Sequence, residues 1–150
     1  MAITSAICNS FKTEILTAVH NFTASTGNTF NLALYTSSAT LSKSTTAYTA
    51  TEEITNTSGS AYSAKGNALT SVTRVLSSDT ALCDFADSSW TSASFTANGC
   101  LIYNSSTITG LTANAAVCSI DFGGDKTVSS GTFTIQFPTA DASDAIIRIA

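Results

Sequence analysis

The stretch Thr132-Phe133-Thr134-Ile135-Gln136-Phe137 decides the fold. Apolar and polar side chains alternate through it without a break. Phe133, Ile135 and Phe137 therefore share one face of a strand, and Thr132, Thr134 and Gln136 the other. Pro138 ends the pairing because it has no N–H to donate. Asp141 to Asp144 reads as a turn, and Ala145-Ile146-Ile147-Arg148-Ile149 as a last strand.

The same grammar extends towards the N-terminus. Ala115 to Phe122 predicts a strand, with Gly123-Gly124-Asp125 as the connection to Thr132. Phe95 to Tyr103 carries the unbroken apolar run Cys100-Leu101-Ile102-Tyr103, expected of a strand covered on both faces. A loop at Asn104 to Asn114 separates these two. Leu69 to Leu76 and Ala81 to Phe85 are further strands, the latter followed by the turn Asp87-Ser88-Ser89 and by Trp90. In Phe30-Asn31-Leu32-Ala33-Leu34-Tyr35, the residues Phe30, Leu32 and Leu34 share a face. Phe85 and Trp90 are assigned to the core.

Before Gly27 the period changes. On a wheel of about 100° per residue, Ile7, Cys8, Phe11, Ile15, Leu16, Ala18, Val19 and Phe22 fall within one half. This predicts an amphipathic helix over about 5–23, capped by Thr4 or Ser5. His20 falls on its polar half, where it should be solvated. One helix followed by about seven short strands predicts a mainly β fold. We expect an antiparallel sandwich or jelly-roll-like domain with one N-terminal amphipathic α-helix, a single domain over 1–150 whose β-rich body spans about 28–150.

Between these strands runs a polar segment, about 36–67, read as a long loop with room for a short strand or helical turn. Loops of that length in compact domains often serve interactions. Its Tyr48, Glu52, Glu53, Tyr62 and Lys65 are the candidate interface residues, tyrosine being enriched at interfaces.

The composition sets limits on function. The chain has 150 residues, 11% of them charged, and about a third are Ser or Thr. Such a surface repels its neighbours little, which suits close packing in a lattice. The net charge is −4, and the 6 Lys and Arg form no cluster. Phosphate neutralisation needs clustered cations, so direct nucleic-acid binding is not expected. No apolar run approaches the length of a membrane span. Met1-Ala2-Ile3-Thr4 lacks the basic start of a signal peptide, so synthesis in the cytoplasm is expected.

The residues that could do chemistry are sparse. The one histidine is unpartnered in sequence, and no serine sits in a G-x-S-x-G elbow. Glu52-Glu53, Asp84, Asp87, Asp121, Asp125, Asp141 and Asp144 are read as turn or surface carboxylates, with no calcium-loop spacing. Gly123-Gly124 lacks phosphate-loop spacing. Cys8, Cys83, Cys100 and Cys118 form no C-x-x-C motif and have apolar neighbours. Buried free thiols are expected, with one long-range disulfide left open. The N-x-S/T triplets at Asn21, Asn56 and Asn104 are the chance product of a Ser/Thr-rich chain. We expect no enzyme, no metal and no cofactor.

Several stretches together carry a family likeness. They are Asn9-Ser10-Phe11-Lys12 through Ala18-Val19-His20-Asn21-Phe22, Gly27-Asn28-Thr29-Phe30, and Leu32-Ala33-Leu34-Tyr35-Thr36-Ser37-Ser38-Ala39-Thr40-Leu41. To these add Asp84-Phe85-Ala86-Asp87 with Trp90, Leu101-Ile102-Tyr103-Asn104, Asp121-Phe122-Gly123-Gly124-Asp125-Lys126, Phe133-Thr134-Ile135-Gln136-Phe137-Pro138 and Ala145-Ile146-Ile147-Arg148-Ile149-Ala150. From about residue 5 onward the chain resembles a family of small structural proteins of tailed-bacteriophage virions. The family's Gly-Tyr-x-x-Gly-Gly pattern is only partly met, by Ser60-Ala61-Tyr62-Ser63-Ala64-Lys65-Gly66-Asn67. The resemblance implies a virion component assembled in the host cytoplasm, with no catalytic residues to transfer. It implies first a capsid decoration or cement protein that bridges capsid subunits. Its partners would be the major capsid protein or other virion proteins and further copies of itself, a trimer above all. The alternative is a tail or tail-fibre protein contacting host glycans, with Tyr48 and Tyr62 as sugar platforms.

Overall fold

In the computed structural model, which describes residues 2–55 and 59–150, the alternation from Thr132 ends a far longer strand that stops at Ile135, leaving Gln136 and Phe137 beyond it. The elements in order are β1 (Ala6–Ile7), α1 (Asn9–Glu14), a 3-10 turn (Ile15–Thr17), β2 (Phe30–Tyr35), β3 (Asn67–Ala68), β4 (Thr73–Ser77), β5 (Thr80–Asp84), β6 (Ser88–Asn104), β7 (Ala115–Ile135) and β8 (Ile147–Ile149). One sheet has the order β1-β7-β6-β2-β3 and a second the order β4-β5-β8. Every strand pair is antiparallel. The fold is mainly β with one short N-terminal helix, as expected of a β sandwich.

Gly123-Gly124 does not connect two strands. It lies inside β7, where Asp121 pairs with Gly99 and Lys126 with Ala97, so residues 122–125 stand opposite Asn98 alone. The excess bulges out, and Gly123 (φ +70°) and Gly124 (φ +131°) take up backbone angles that side chains disfavour. Asn98 Nδ2 holds the bulge by donating to Asp125 Oδ1 at 2.9 Å. Two residues of the turn expected at Asp87-Ser88-Ser89 are also strand: β6 begins at Ser88, which already pairs with Ile135. Hydroxyl pairs rivet this ribbon, Ser89 to Thr134 and Thr96 to Thr127, each at 2.8 Å. Conversely, the strand expected at Leu69–Leu76 is split, because residues 69–72 lie between β3 and β4.

The helix covers only about a third of its expected span. Ala6 and Ile7 pair with Ser119 and Cys118 as β1 instead of starting the helix. Ser5 is no cap; its Oγ accepts the Asp121 N–H at 2.9 Å. Cys8 is the residue at the N-cap and makes no side-chain cap bond. At the other end Thr17 Oγ1 bonds back to the Glu14 carbonyl at 2.9 Å, and Ala18 turns left-handed at φ 57°. A helix this short is unstable alone, so it is held by Phe11, which is buried. Leu16, placed on the apolar half of the wheel, is 84% exposed.

Pairing register assigns the two faces of the large sheet. Phe30, Leu32 and Leu34 line up with Asn104, Ile102 and Cys100 on one face. On that face Phe22 stacks on Phe30, centroids 4.4 Å apart, and Phe85 lies 5.7 Å from Phe30, reaching across from the end of the small sheet. Asn31, Ala33 and Tyr35 line up with Tyr103, Leu101 and Gly99 on the other face. This second face is covered by the polar segment that follows β2. Each fully buried Leu, Ile or Phe here contributes roughly 1.5–3 kcal/mol.

Candidate functional site

Up to Asn67, which opens β3, the polar segment contains no regular strand among its described residues, yet it is fixed at its centre by one carboxylate. Glu53 is buried, and its backbone forms an isolated bridge with Tyr35 at the end of β2. Ile54 N–H continues that edge by donating to the Leu34 carbonyl at 2.9 Å. This turns the Glu53 side chain inward. Its Oε1 accepts from Tyr62 Oη at 2.7 Å and from the Lys65 N–H at 2.6 Å, and its Oε2 accepts from Tyr48 Oη at 2.6 Å. A carboxylate removed from water needs this number of donors to offset its desolvation.

All four tyrosines of the chain meet around this group. Tyr62 Oη also accepts the Leu34 N–H at 2.9 Å, capping the edge of β2 where β3 stops. Tyr35 Oη donates to the Thr49 carbonyl at 2.7 Å and Tyr103 Oη to the Lys65 carbonyl at 2.9 Å. The Tyr48 ring stacks on Tyr103 at 4.9 Å. Burial, with the Glu53 charge adding to it, raises the phenols of Tyr35, Tyr48 and Tyr62 far above the ordinary range; Tyr103 is raised to about 12 for the same two reasons. Gly66 closes the cluster at φ +69°. A Cβ there would sit 1.8 Å from the Leu32 carbonyl oxygen, so no other residue fits.

The five expected interface residues thus divide. Glu53 and Tyr62 are buried and Tyr48 is half-buried, so these three are the inner pins of the segment and not a contact surface. Glu52 and Lys65 are exposed, on backbone held left-handed at φ 62° and 75°. Glu52 Oε2 accepts from Thr36 Oγ1 at 3.1 Å. Tyrosines in a Ser/Thr-rich loop look like surface groups as long as their partners are unknown. Their shared acceptor, a Glu followed by an apolar Ile54, was the available signal.

His20 also departs from expectation. Its side chain is fully buried, with Phe11 4.8 Å away, because the chain after Ala18 turns back to the sheet. Asn104 Oδ1 accepts the Ser106 N–H at 3.0 Å, and Asn104 Nδ2 donates to Asn28 Oδ1 at 2.9 Å. This orients the amide so that Nδ2 also donates to His20 Nδ1 at 3.1 Å. His20 Nε2 then carries the proton and donates to Glu14 Oε2 at 2.8 Å. Both ring nitrogens are engaged, Nδ1 with Asn104 at the end of β6 and Nε2 with Glu14 at the end of α1. Asn104, in one of the N-x-S triplets, is fully buried in this cluster; Asn56 lies outside the described residues.

The four cysteines are free and buried, so the open question of a disulfide resolves to thiols. Burial raises Cys8 to about 11 and Cys83 and Cys118 to about 12, and it raises Cys100 as well. Thiols so protonated are poor nucleophiles. The carboxylates expected in turns include true turn formers. Asp141 Oδ1 accepts from the N–H groups of Ser143 and Asp144, which lowers its pKa, and Asp121 Oδ1 accepts from Gly123. Asp87 instead ties strand to strand, accepting the Phe137 N–H at 2.9 Å. Among the described residues no group of three or more His, Cys, Asp or Glu is placed to hold a metal ion. No helix among them is long and apolar enough to cross a membrane.

A groove of about 530 Å³ runs along β7 between Phe122, Lys126, Phe133, Phe137 and Pro138. It is open and apolar, with Lys126 the charged group in its lining. Comparison of the chain with protein-family models, with curated proteins and with solved structures finds no match in any of the three. The class that fold and site define is therefore a mainly β, antiparallel protein whose polar segment is locked onto one sheet face by a buried carboxylate.

Proposed function

We propose that this chain is a structural component of a bacteriophage virion, a capsid decoration protein that stabilises the head by bridging neighbouring capsid subunits. The observation that carries the reading is the clamp at Glu53. It pins the weakly charged segment at Tyr48, Tyr62 and the Lys65 backbone, with Glu52 and Lys65 left exposed beside the pinned groups. A bridge that resists outward pressure needs such a preorganised surface. The resemblance across nearly the whole chain supports the same reading. So does the commitment of His20, Glu53 and the thiols to internal bonds or burial, which suits a protein that does no chemistry.

The tail or tail-fibre alternative placed sugars on Tyr48 and Tyr62. Tyr62 is fully buried and Tyr48 is stacked on Tyr103, so no observation favours it.

The experiment is reconstitution. Purified chain is mixed with phage heads that lack it, and with isolated tails, and bound protein is counted after sedimentation. Saturable binding to heads, with a higher temperature of DNA release, is expected. Glu52→Lys with Lys65→Glu should weaken binding without lowering the melting temperature of the free protein. Binding to tails alone, or to neither, contradicts the proposal.

A further inference from the structure

Four large hydrophobic residues are exposed among the described residues: Leu16, Val75, Leu76 and Ile149. Two of them are consecutive on β4, an edge strand of the small sheet. Leu76 is 69% and Val75 47% exposed. Ile149 lies in the same cross-sheet row as Leu76, through Ala81. An unpaired edge with apolar side chains is a template for strand addition unless something blunts it.

Elsewhere in the two sheets the edges are short, bulged or met by a loop; along β6 before Gly99, where β2 does not reach, Ser94 N–H donates to the Ser60 carbonyl and Asn67 Nδ2 to the Ser89 carbonyl. The outer edge of β7 beyond Ser119 is interrupted by the Phe122–Asp125 bulge and carries Asp121, Asp125 and Lys126. β3 is two residues long and β8 three. β4 has five residues with no proline, no bulge and one charge, Arg74.

Its backbone register specifies the partner. Ser77 and Thr80 close the two-residue hairpin turn, so Ser77, Val75 and Thr73 direct their N–H and C=O groups at β5. Arg74 and Leu76 then direct theirs outward, and neither makes a backbone bond on that side among the described residues. In an antiparallel pair of identical strands centred on Val75, Arg74 stands opposite Leu76 of the other copy. Those are the two residues with free outward groups, so each symmetric pair exchanges both of its hydrogen bonds. Val75 meets its own counterpart, a favourable β-branched cross-strand contact. Centring the pair on Arg74 would oppose two guanidinium groups.

We infer that β4 is a self-pairing edge, through which a second copy of this chain joins about a two-fold axis at Val75, merging the two small sheets into one. The contact is isologous and closed, so it stops at a pair. It differs from the trimer that the family resemblance implies. It needs no virion partner, so it stands or falls separately from the decoration reading.

The test is sedimentation of the purified full chain in reducing buffer across a wide concentration range. The parent chain should associate reversibly to a dimer. Leu76→Lys places an ammonium opposite the guanidinium of the second copy and should weaken the dimer by roughly tenfold or more. Leu76→Glu loses the same apolar area but places a carboxylate there, and should dimerise as well as the parent or better. Leu76→Pro removes only an outward N–H, leaves the bonds to β5 intact, and should abolish pairing. Unchanged melting of the three variants at low concentration shows that they fold. A monomer at every concentration, a trimer, or equal weakening by Lys and Glu would overturn the inference.

Discussion

Tyr62 Oη donates to Glu53 Oε1 at 2.7 Å while accepting the Leu34 N–H at 2.9 Å. One phenol thus joins the polar segment to the unpaired edge of β2. Tyr62→Phe removes both bonds and leaves a buried amide without a partner, so it should cost about 1–3 kcal/mol. Glu53→Ala strands two phenols and the Lys65 N–H together and should cost about 3–5 kcal/mol, since each buried donor left without an acceptor costs about 1–3 kcal/mol. Urea denaturation checks both. Losses below about 0.5 kcal/mol would mean that the clamp does not hold the segment.

The same cluster sets the response to alkali. The folded state keeps Cys8, Cys83, Cys118 and the tyrosines protonated above the pH at which they ionise when unfolded. The unfolded chain therefore releases protons first, and stability falls as pH rises. The contribution is complete below about pH 9 and is lost from there through pH 11–12, thiols first and tyrosines from about pH 10. Denaturation midpoints across alkaline pH, read beside tyrosinate absorbance, should show ionisation arriving together with unfolding. Four tyrosines titrating normally in a protein that stays folded would contradict the clamp.

Thiol accessibility gives a third check. All four cysteines are free and buried. A thiol reagent should label none rapidly in the native protein and all of them in denaturant. A reductant should change nothing in the mobility of the unlabelled chain.

Gly66→Ala should be among the most damaging single changes, because the neighbour its Cβ would meet is the β2 backbone itself. A cost above about 3 kcal/mol, or failure to accumulate folded protein, is expected. A mild effect would mean that the backbone around Leu32 and Gly66 can separate.

The sequence made the fold class legible and the site much less so. Alternation at Phe133-Thr134-Ile135 is local information, and it placed that strand correctly. Gly123-Gly124 misled because glycines serve turns and bulges alike, and only the partner strand, with Asn98 waiting for Asp125, decides between them. The wheel through Ile7 to Phe22 misled for a related reason. β1, the short helix and the returning loop each bury apolar residues, and their sum imitates a helical period. His20 was misplaced with it, since its burial depends on Asn104, distant in sequence. Glu53, Tyr48 and Tyr62 stand out in the sequence, but in the opposite role, and Tyr35 and Tyr103 do not stand out at all. Their geometry is built from contacts between a loop and two strands, which no short window contains.

The most direct measurement is a cryo-EM reconstruction of the parent phage particle with the chain located in it. The proposal predicts density for this fold on the outer surface of the head, with the face bearing Glu52 and Lys65 against capsid subunits. Density for it only in the tail, or a complete particle without it, would contradict the proposal.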